Sequence, residues 1–151
     1  MYFFVVITFM LVLPVGSIGL SAASGDVLSF ALVAKWFVIW SVGARLSLAG
    51  IRQIVQPRYT AEVILSLKHE ESQVLVREIG FGNLAIGIAG LASWLFPAWV
   101  MAAALAGAIF YCLAGFNHLL QPHRGKLENV AMISDLFVGF VLATAYAGAI
   151  G

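Results

Sequence analysis

Long apolar runs separated by short polar connections dominate this chain. Residues 1–25 contain no Asp, Glu, Lys or Arg, and neither do residues 79–123. The second run is long enough for two membrane-spanning helices of about 20 residues each. Pro97 divides it, because proline cannot continue a helix. We therefore predict a tight hairpin at Pro97, flanked by Trp94 and Trp99 at the level of the lipid headgroups.

The same pattern predicts five transmembrane helices, over about residues 3–22, 28–53, 77–96, 98–119 and 129–149. Between the second and third helices, Val63, Ile64 and Leu67 share one helical face. This indicates a short amphipathic helix on the membrane surface, with a solvated helical loop as the alternative. We expect an all-α integral membrane protein with one domain over residues 1–151. It is a bundle of about five transmembrane helices plus the short amphipathic cytoplasmic helix.

Composition supports a membrane protein and excludes several functions. The chain is 62% hydrophobic and 10% charged, whereas soluble domains carry about a quarter charged residues. Its net charge of +1 and the lack of a basic patch argue against a nucleic-acid partner. Cys112 is alone, so no disulfide forms within the chain. We expect no metal and no cofactor: a b-type haem needs a second inward histidine, and His69 and His123 lie on connecting segments.

Basic residues predict the orientation. Two connections that share one side carry six of them, and the opposite connections carry none: Arg52, Arg58, Lys68, Arg77, Arg124 and Lys126. Because positive residues remain in the cytoplasm, we expect a cytoplasmic N-terminus and an outside C-terminus. The first helix ends in "SAAS", like a signal peptide, but lacks the positive region that normally precedes the apolar core. We expect it to be retained, with cleavage as the alternative.

Two charged residues inside predicted helices fall at the same depth. Asp135 lies six residues into helix five and Arg45 six residues before the end of helix two, each about 9 Å deep at 1.5 Å per residue. This predicts a structural ion pair, which either locks two helices together or belongs to a binding site. Lys35, beside Trp36 in the outer part of helix two, is expected to snorkel to the outer surface.

Other polar residues of the helices collect at the cytoplasmic end and complete a candidate site. Arg45 brings five hydrogen-bond donors and Asn83 and Asn117 bring two each, whereas the acceptors nearby are chiefly Asp135 and Glu78. A bidentate pair of Arg45 with one carboxylate leaves donors over, so water or an anionic ligand should fill the space. We expect a pocket open to the cytoplasm between helices two to five, narrowing and becoming apolar toward Pro97. No catalytic residue is assigned. The candidate ligand-binding residues are Arg45, Glu78, Asn83, Asn117, His118 and Asp135.

Small residues at four-residue spacing predict where helices pack closely. Helix three has Ala85, Ala89 and Ser93, and helix four has Ala104, Ala108 and Cys112. Packing within the chain is the default interpretation, and a homo-oligomer contact is the alternative for helix five. The helix-five stripe consists of Gly139, Ala143, Ala147 and Gly151.

Several stretches resemble a known group of proteins: "GIRQIVQPRYTAEVIL", "VREIGFGNLAIGIAG", "GFNHL" and "ENVAMISDLFVGF". They resemble a family of small bacterial membrane proteins of unknown function, distantly similar to DoxX-like four-helix proteins. The resemblance covers roughly residues 50–139 and implies a bacterial inner membrane location, but no catalytic residue. DoxX-like proteins are linked to quinone-coupled sulfur oxidation. Five helices and a single cysteine argue against that activity here.

Three functions remain open. We favour a protein of the lipid bilayer that binds or moves a small anionic or carboxylate-bearing ligand, although no internal repeat supports transport. One alternative is a redox subunit or enzyme acting on a quinone or lipid, with His118 as acid–base group assisted by Glu78. An enzyme is disfavoured because no nucleophile motif or cofactor fingerprint is present. The other alternative is an accessory or structural subunit of a larger membrane complex.

Overall fold

The computed structural model describes residues 2–65, 67 and 69–151. Across these residues the secondary structure is helical, without a strand. Five helices are long and apolar enough to cross a membrane, which confirms the predicted all-α bundle. Helix α3 begins six residues before the predicted residue 77, because the polar stretch after Glu70 continues its first turns. The five helices are α1 Tyr2–Ala23, α2 Phe30–Val55, α3 Glu71–Ala92, α4 Pro97–Leu120 and α5 Lys126–Ile150.

Local sequence signals explain where the helices begin and end. The hydroxyl of Ser29 caps α2 by accepting from the backbone N–H of Leu32 at 3.2 Å. Pro97 occupies the first turn of α4, where its missing N–H costs nothing. A short helix, Tyr59–Ile64, follows α2 at the predicted amphipathic segment. Its Val63 is exposed, and its position on a membrane surface stays a prediction.

Helices α1 and α2 each contain a π-helical segment, and these segments face each other. They cover Thr8–Val12 and Val38–Ala44. The hydroxyl of Ser41 donates to the carbonyl of Phe9 at 3.1 Å. Two tryptophan indoles of α2 also donate to serines of α1, at 2.9 and 3.1 Å. Since α1 is the least buried span, these polar contacts hold it against the bundle.

Glycines bring α2 and α3 into close contact. A Cβ atom added to Gly87 would lie 2.5 Å from the backbone nitrogen of Ser47, and one added to Gly50 would lie 2.6 Å from that of Leu84. Neither position has room for any side chain, as in other small-residue helix interfaces. Of the predicted α3 stripe, Ala85 is exposed, Ala89 is half-buried and Ser93 is buried. The glycines of this interface are Gly43, Gly50, Gly80, Gly87 and Gly90.

Helices α4 and α5 form a second close pair. A Cβ on Gly139 would lie 2.7 Å from Cys112 Sγ, so this glycine is occupied within the chain. The remaining residues of the predicted helix-five stripe, Ala143, Ala147 and Gly151, are exposed. A contact with a second copy through them stays a prediction.

The two helix pairs join at one end of the bundle and separate toward the other. The first part of α2, Phe30–Phe37, packs on α5 and α4, whereas Arg45–Val55 packs mainly on α3.

We call the end with the α2–α3 and α4–α5 connections the basic end, and the end with the α3–α4 hairpin the aromatic end. The shared core lies between them and includes Val42, Ala104 and Leu142. At the basic end the two pairs are separated, so polar side chains of α2 lie between the α2–α3 pair and the α4–α5 pair.

Candidate functional site

The spacing of residues along α2 places two arginines on the face that points away from the glycine interface with α3. Arg45 and Arg52 are seven residues apart, about two helical turns, and share one face of α2. Ser47 and Gly50, which contact α3, are each two residues, or about 200°, from one of the arginines. Both arginines therefore point toward the region where the two helix pairs separate.

The deeper arginine lies in a group of four residues, here called the Arg45 cluster: Tyr2, Arg45, Tyr111 and Asp135. The guanidinium carbon of Arg45 is 5.7 Å from the centre of the Tyr2 ring. Tyr111 is buried, and its hydroxyl donates to the carbonyl of Ser41. Asp135 on α5 lies near both Arg45 and Tyr111. Residues from four helices thus meet around Arg45, whose Nε atom is buried.

The predicted ion pair between Arg45 and Asp135 does not form as a direct contact. Among the described residues, the ion pairs within 4.0 Å are Arg58–Glu62 and His118–Glu128. Asp135 lies near Arg45, but the part of α2 that contains Arg45 packs mainly on α3, and Arg45 packs on Tyr2. The Nε atom of Arg45 is buried and, in the part of the chain that is described, has no hydrogen-bond partner.

Arg52 repeats this arrangement about 10.5 Å nearer the basic end, given seven residues at 1.5 Å each. Its guanidinium carbon lies 3.7 Å from the centre of the Tyr59 ring, which belongs to the short helix after α2. Its Nε atom is also buried, and no hydrogen-bond acceptor for it occurs in residues 2–65, 67 or 69–151. Stacking on an aromatic ring fixes the plane of a guanidinium and leaves its edge free to bind.

The other predicted site residues do not join the Arg45 cluster. Asn83 is buried in the α2–α3 interface, where its amide donates to Gln53 Oε1 at 2.7 Å. Its side chain is therefore engaged in the α2–α3 interface. Glu78 and Asn117 are exposed on the outside of the bundle. The structure thus does not bring the six residues together around one pocket between α2, α3, α4 and α5.

His118 forms a separate contact that stabilises the α4–α5 connection. Its Nδ1 atom lies 3.1 Å from Glu128 Oε1, and the two side chains are only 13% and 7% exposed. Arg124 Nη1 donates to the carbonyls of His118, Leu119 and Gln121, which satisfies the free carbonyls at the end of α4. Its Nε donates to Asn129 at 3.1 Å. Glu128 is therefore the partner of His118, and this contact has a structural role.

Sequence reasoning missed five participants: Tyr2, Arg52 as a site residue, Tyr59, Tyr111 and Glu128. A seven-residue spacing was the available signal for two of them. Arg52 follows Arg45, and Glu128 precedes Asp135, by seven residues, which places each pair on one helical face. No such signal existed for Tyr2 or Tyr59, because their contacts depend on how separate helices pack.

A surface pocket lies at the aromatic end, where we predicted only narrowing. Its volume is about 200 Å³, and its lining includes Lys35 beside Pro97. The described ranges contain no group of three or more His, Cys, Asp or Glu residues that could hold a metal ion. The basic end therefore carries two arginines with buried Nε atoms, whereas the aromatic end carries a lysine that lines a pocket.

Comparisons with known proteins place the chain in a family. No curated protein and no solved structure matches it. A family model described as "Family of unknown function (DUF6790)" matches residues 1–147, almost the whole chain. With its five membrane spans, the chain is a multi-pass helical membrane protein that belongs to this family of unknown function, DUF6790.

Proposed function

We propose that the protein binds a small anionic ligand at Arg45 and Arg52, between the two helix pairs. The observation that carries the proposal is that each arginine has a buried Nε without an acceptor in the described chain. An unsatisfied buried donor costs about 1–3 kcal/mol, and more when it is charged. A ligand carboxylate or phosphate removes this cost by accepting two parallel N–H bonds from a guanidinium.

The guanidinium groups favour an anion, and a neighbouring carboxyl group favours a singly charged one. Arg45 and Arg52 contribute two positive charges, and the carboxyl group of Asp135 lies near Arg45. Whenever this carboxyl is charged it repels a second negative charge on the ligand, so one carboxylate fits better than a dianion. The rings of Tyr2 and Tyr59 add apolar surface beside both guanidinium groups. A carboxylate attached to an apolar body fits this combination.

We also propose that the basic end is cytoplasmic and that the membrane is a bacterial inner membrane. The support is the distribution of lysine and arginine, since positively charged connections stay in the cytoplasm. The ligand would then enter from the cytoplasm, where the helix pairs separate. A distant likeness to DoxX-like four-helix proteins is also part of this proposal. This chain differs from them in having five spans.

Thermal unfolding of the purified protein in detergent tests the binding proposal. The anionic probes are benzoate, octanoate and inorganic phosphate, and benzylamine is the cationic control. At ten times its Kd, a ligand stabilises by about 1.4 kcal/mol, or about 3 to 6 °C in Tm for a chain of this size. We expect a carboxylate probe to give this shift and benzylamine to give none.

Variants assign the shift to the site. Arg45→Gln or Arg52→Gln should abolish it, because each removes a guanidinium. Arg58→Gln is the matched control, since Arg58 is exposed and already paired with Glu62 at 2.8 Å, and it should keep the full shift. A shift of equal size in Arg45→Gln and the native protein would refute the proposal. No shift with any anion, together with a fixed co-purifying protein, would favour an accessory subunit instead.

A further inference from the structure

The pocket at the aromatic end is the second place where a charged side chain borders unoccupied space. It lies where α2, α3 and α4 meet and has a volume of about 200 Å³. Its lining consists of Lys35, Ser93, Trp94, Pro97 and Val100. The hydroxyl of Ser93 donates to the carbonyl of Gly90 at 2.6 Å. Lys35 is therefore the charged group of an otherwise largely apolar pocket.

Lys35 is held in place, and none of the described residues forms an ion pair with it. Its Nζ atom lies 5.0 Å from the centre of the Trp36 ring, a cation–π contact. Trp36 is itself fixed, because its indole donates to Ser21 at 3.1 Å and its ring packs edge-on against Trp94. Both ion pairs found among the described residues lie at the basic end. A positioned ammonium group without a carboxylate partner is a site for an anion.

The position of the pocket along the helices corresponds to the lipid headgroups. Tryptophans concentrate at the membrane–water interface, and Trp36, Trp94 and Trp99 all lie at this end of the bundle. A lysine near the end of a span places its ammonium at the same level. Trp94 and Phe96 are largely exposed around the pocket, as residues that face lipid are.

We propose that this pocket binds the anionic headgroup of a phospholipid, with Lys35 paired to the lipid phosphate. Pockets for whole ligands usually start at about 300 Å³, so 200 Å³ accommodates only part of a molecule. A phospholipid fits this volume, because only its headgroup would enter the pocket. Its acyl chains would remain in the bilayer beside Trp94 and Val100. The site is separate from Arg45 and Arg52 and does not depend on the function proposed for them.

Native mass spectrometry tests this site with two lipids of identical acyl chains. The protein is titrated in detergent with phosphatidylglycerol, which is anionic, and with phosphatidylcholine, which is zwitterionic. Lys35→Gln should reduce the preference for phosphatidylglycerol about fivefold, from the roughly 1 kcal/mol that one lysine contributes near a membrane surface. Lys35→Arg should keep it. Lys126→Gln, at an exposed lysine of the basic end, is the matched control and should also keep it.

Several outcomes would overturn the proposal. An unchanged preference in Lys35→Gln removes the site, and an equal loss in Lys126→Gln reduces it to a general charge effect. Displacement of bound phosphatidylglycerol by inorganic phosphate would identify a free phosphate ion as the ligand instead of a lipid. If Lys35→Gln fails to fold, Trp94→Ala supplies the test, because it removes a pocket wall and keeps the charge. Full phosphatidylglycerol binding by Trp94→Ala would then contradict the proposal.

Discussion

Gly50→Ala tests whether α2 and α3 pack as closely as their glycines imply. A Cβ at this position would lie 2.6 Å from Leu84 N, 2.7 Å from the Gly80 carbonyl oxygen and 2.9 Å from Leu84 Cβ. Two of these three atoms belong to the backbone of α3, which cannot rotate away as a side chain does. The helices must therefore move apart to accept one methyl group.

The magnitude follows from two opposing effects. Overpacking costs about 1–3 kcal/mol, and the backbone neighbours of Gly50 place the cost near the upper limit. Alanine also gains up to about 1 kcal/mol over glycine in a helix interior. The expected result is a net destabilisation of about 2 kcal/mol.

Gly82→Ala is the matched control, because it makes the same chemical change within α3. A Cβ at Gly82 meets no other described atom within 4 Å, so only the helix-propensity gain remains. Reversible unfolding by sodium dodecyl sulfate in mixed micelles measures both free energies. We expect the two variants to differ by about 3 kcal/mol. Equal stabilities would refute the close packing of α2 and α3, and with it the direction assigned to Arg45.

The remaining predictions concern topology, charge and the α4–α5 connection. A C-terminal alkaline phosphatase fusion should be active and a C-terminal green fluorescent fusion dark; the opposite pair of results would contradict the orientation proposed from the basic residues. Asp135→Asn should shift binding from carboxylate probes toward inorganic phosphate, because it removes a carboxyl group that can carry negative charge beside Arg45; an unchanged order of affinities would show that Asp135 does not act on the ligand. Glu128→Ala should lower the free energy of unfolding by about 1–3 kcal/mol, because it leaves the largely buried His118 without its partner; a change below 0.5 kcal/mol, the usual limit for surface substitutions, would place this contact outside the folded core.

The fold was largely predictable because apolar length alone identifies membrane spans. The charge-free runs and Pro97 gave three helices, the apolar stretches around Arg45 and Asp135 gave two more, and the structure has five. The α2–α3 interface was not predicted, since alanines and glycines were treated alike as small residues. Only Gly87 and its neighbouring glycines let the backbones approach to the distances observed, whereas Ala85 is exposed.

The proximity of two site residues was predictable, but the direction of the others was not. Counting residues from the helix ends brought Arg45 and Asp135 together, and Asp135 does lie near Arg45. Which way a side chain points depends on where the neighbouring helices lie. Asn83 therefore lies in the α2–α3 interface and Asn117 outside the bundle. The contact of Tyr2 with Arg45 joins distant parts of the chain and has no local sequence signal.

Native mass spectrometry of the gently purified protein, with and without benzoate, tests anion binding at Arg45 and Arg52 most directly. We predict a complex with one small anion, either retained from the cell or formed with benzoate. The complex should be lost in Arg45→Gln and kept in Arg58→Gln. Only the bare mass of the native protein under both conditions, or a complex that survives Arg45→Gln, would contradict a ligand site between the two helix pairs.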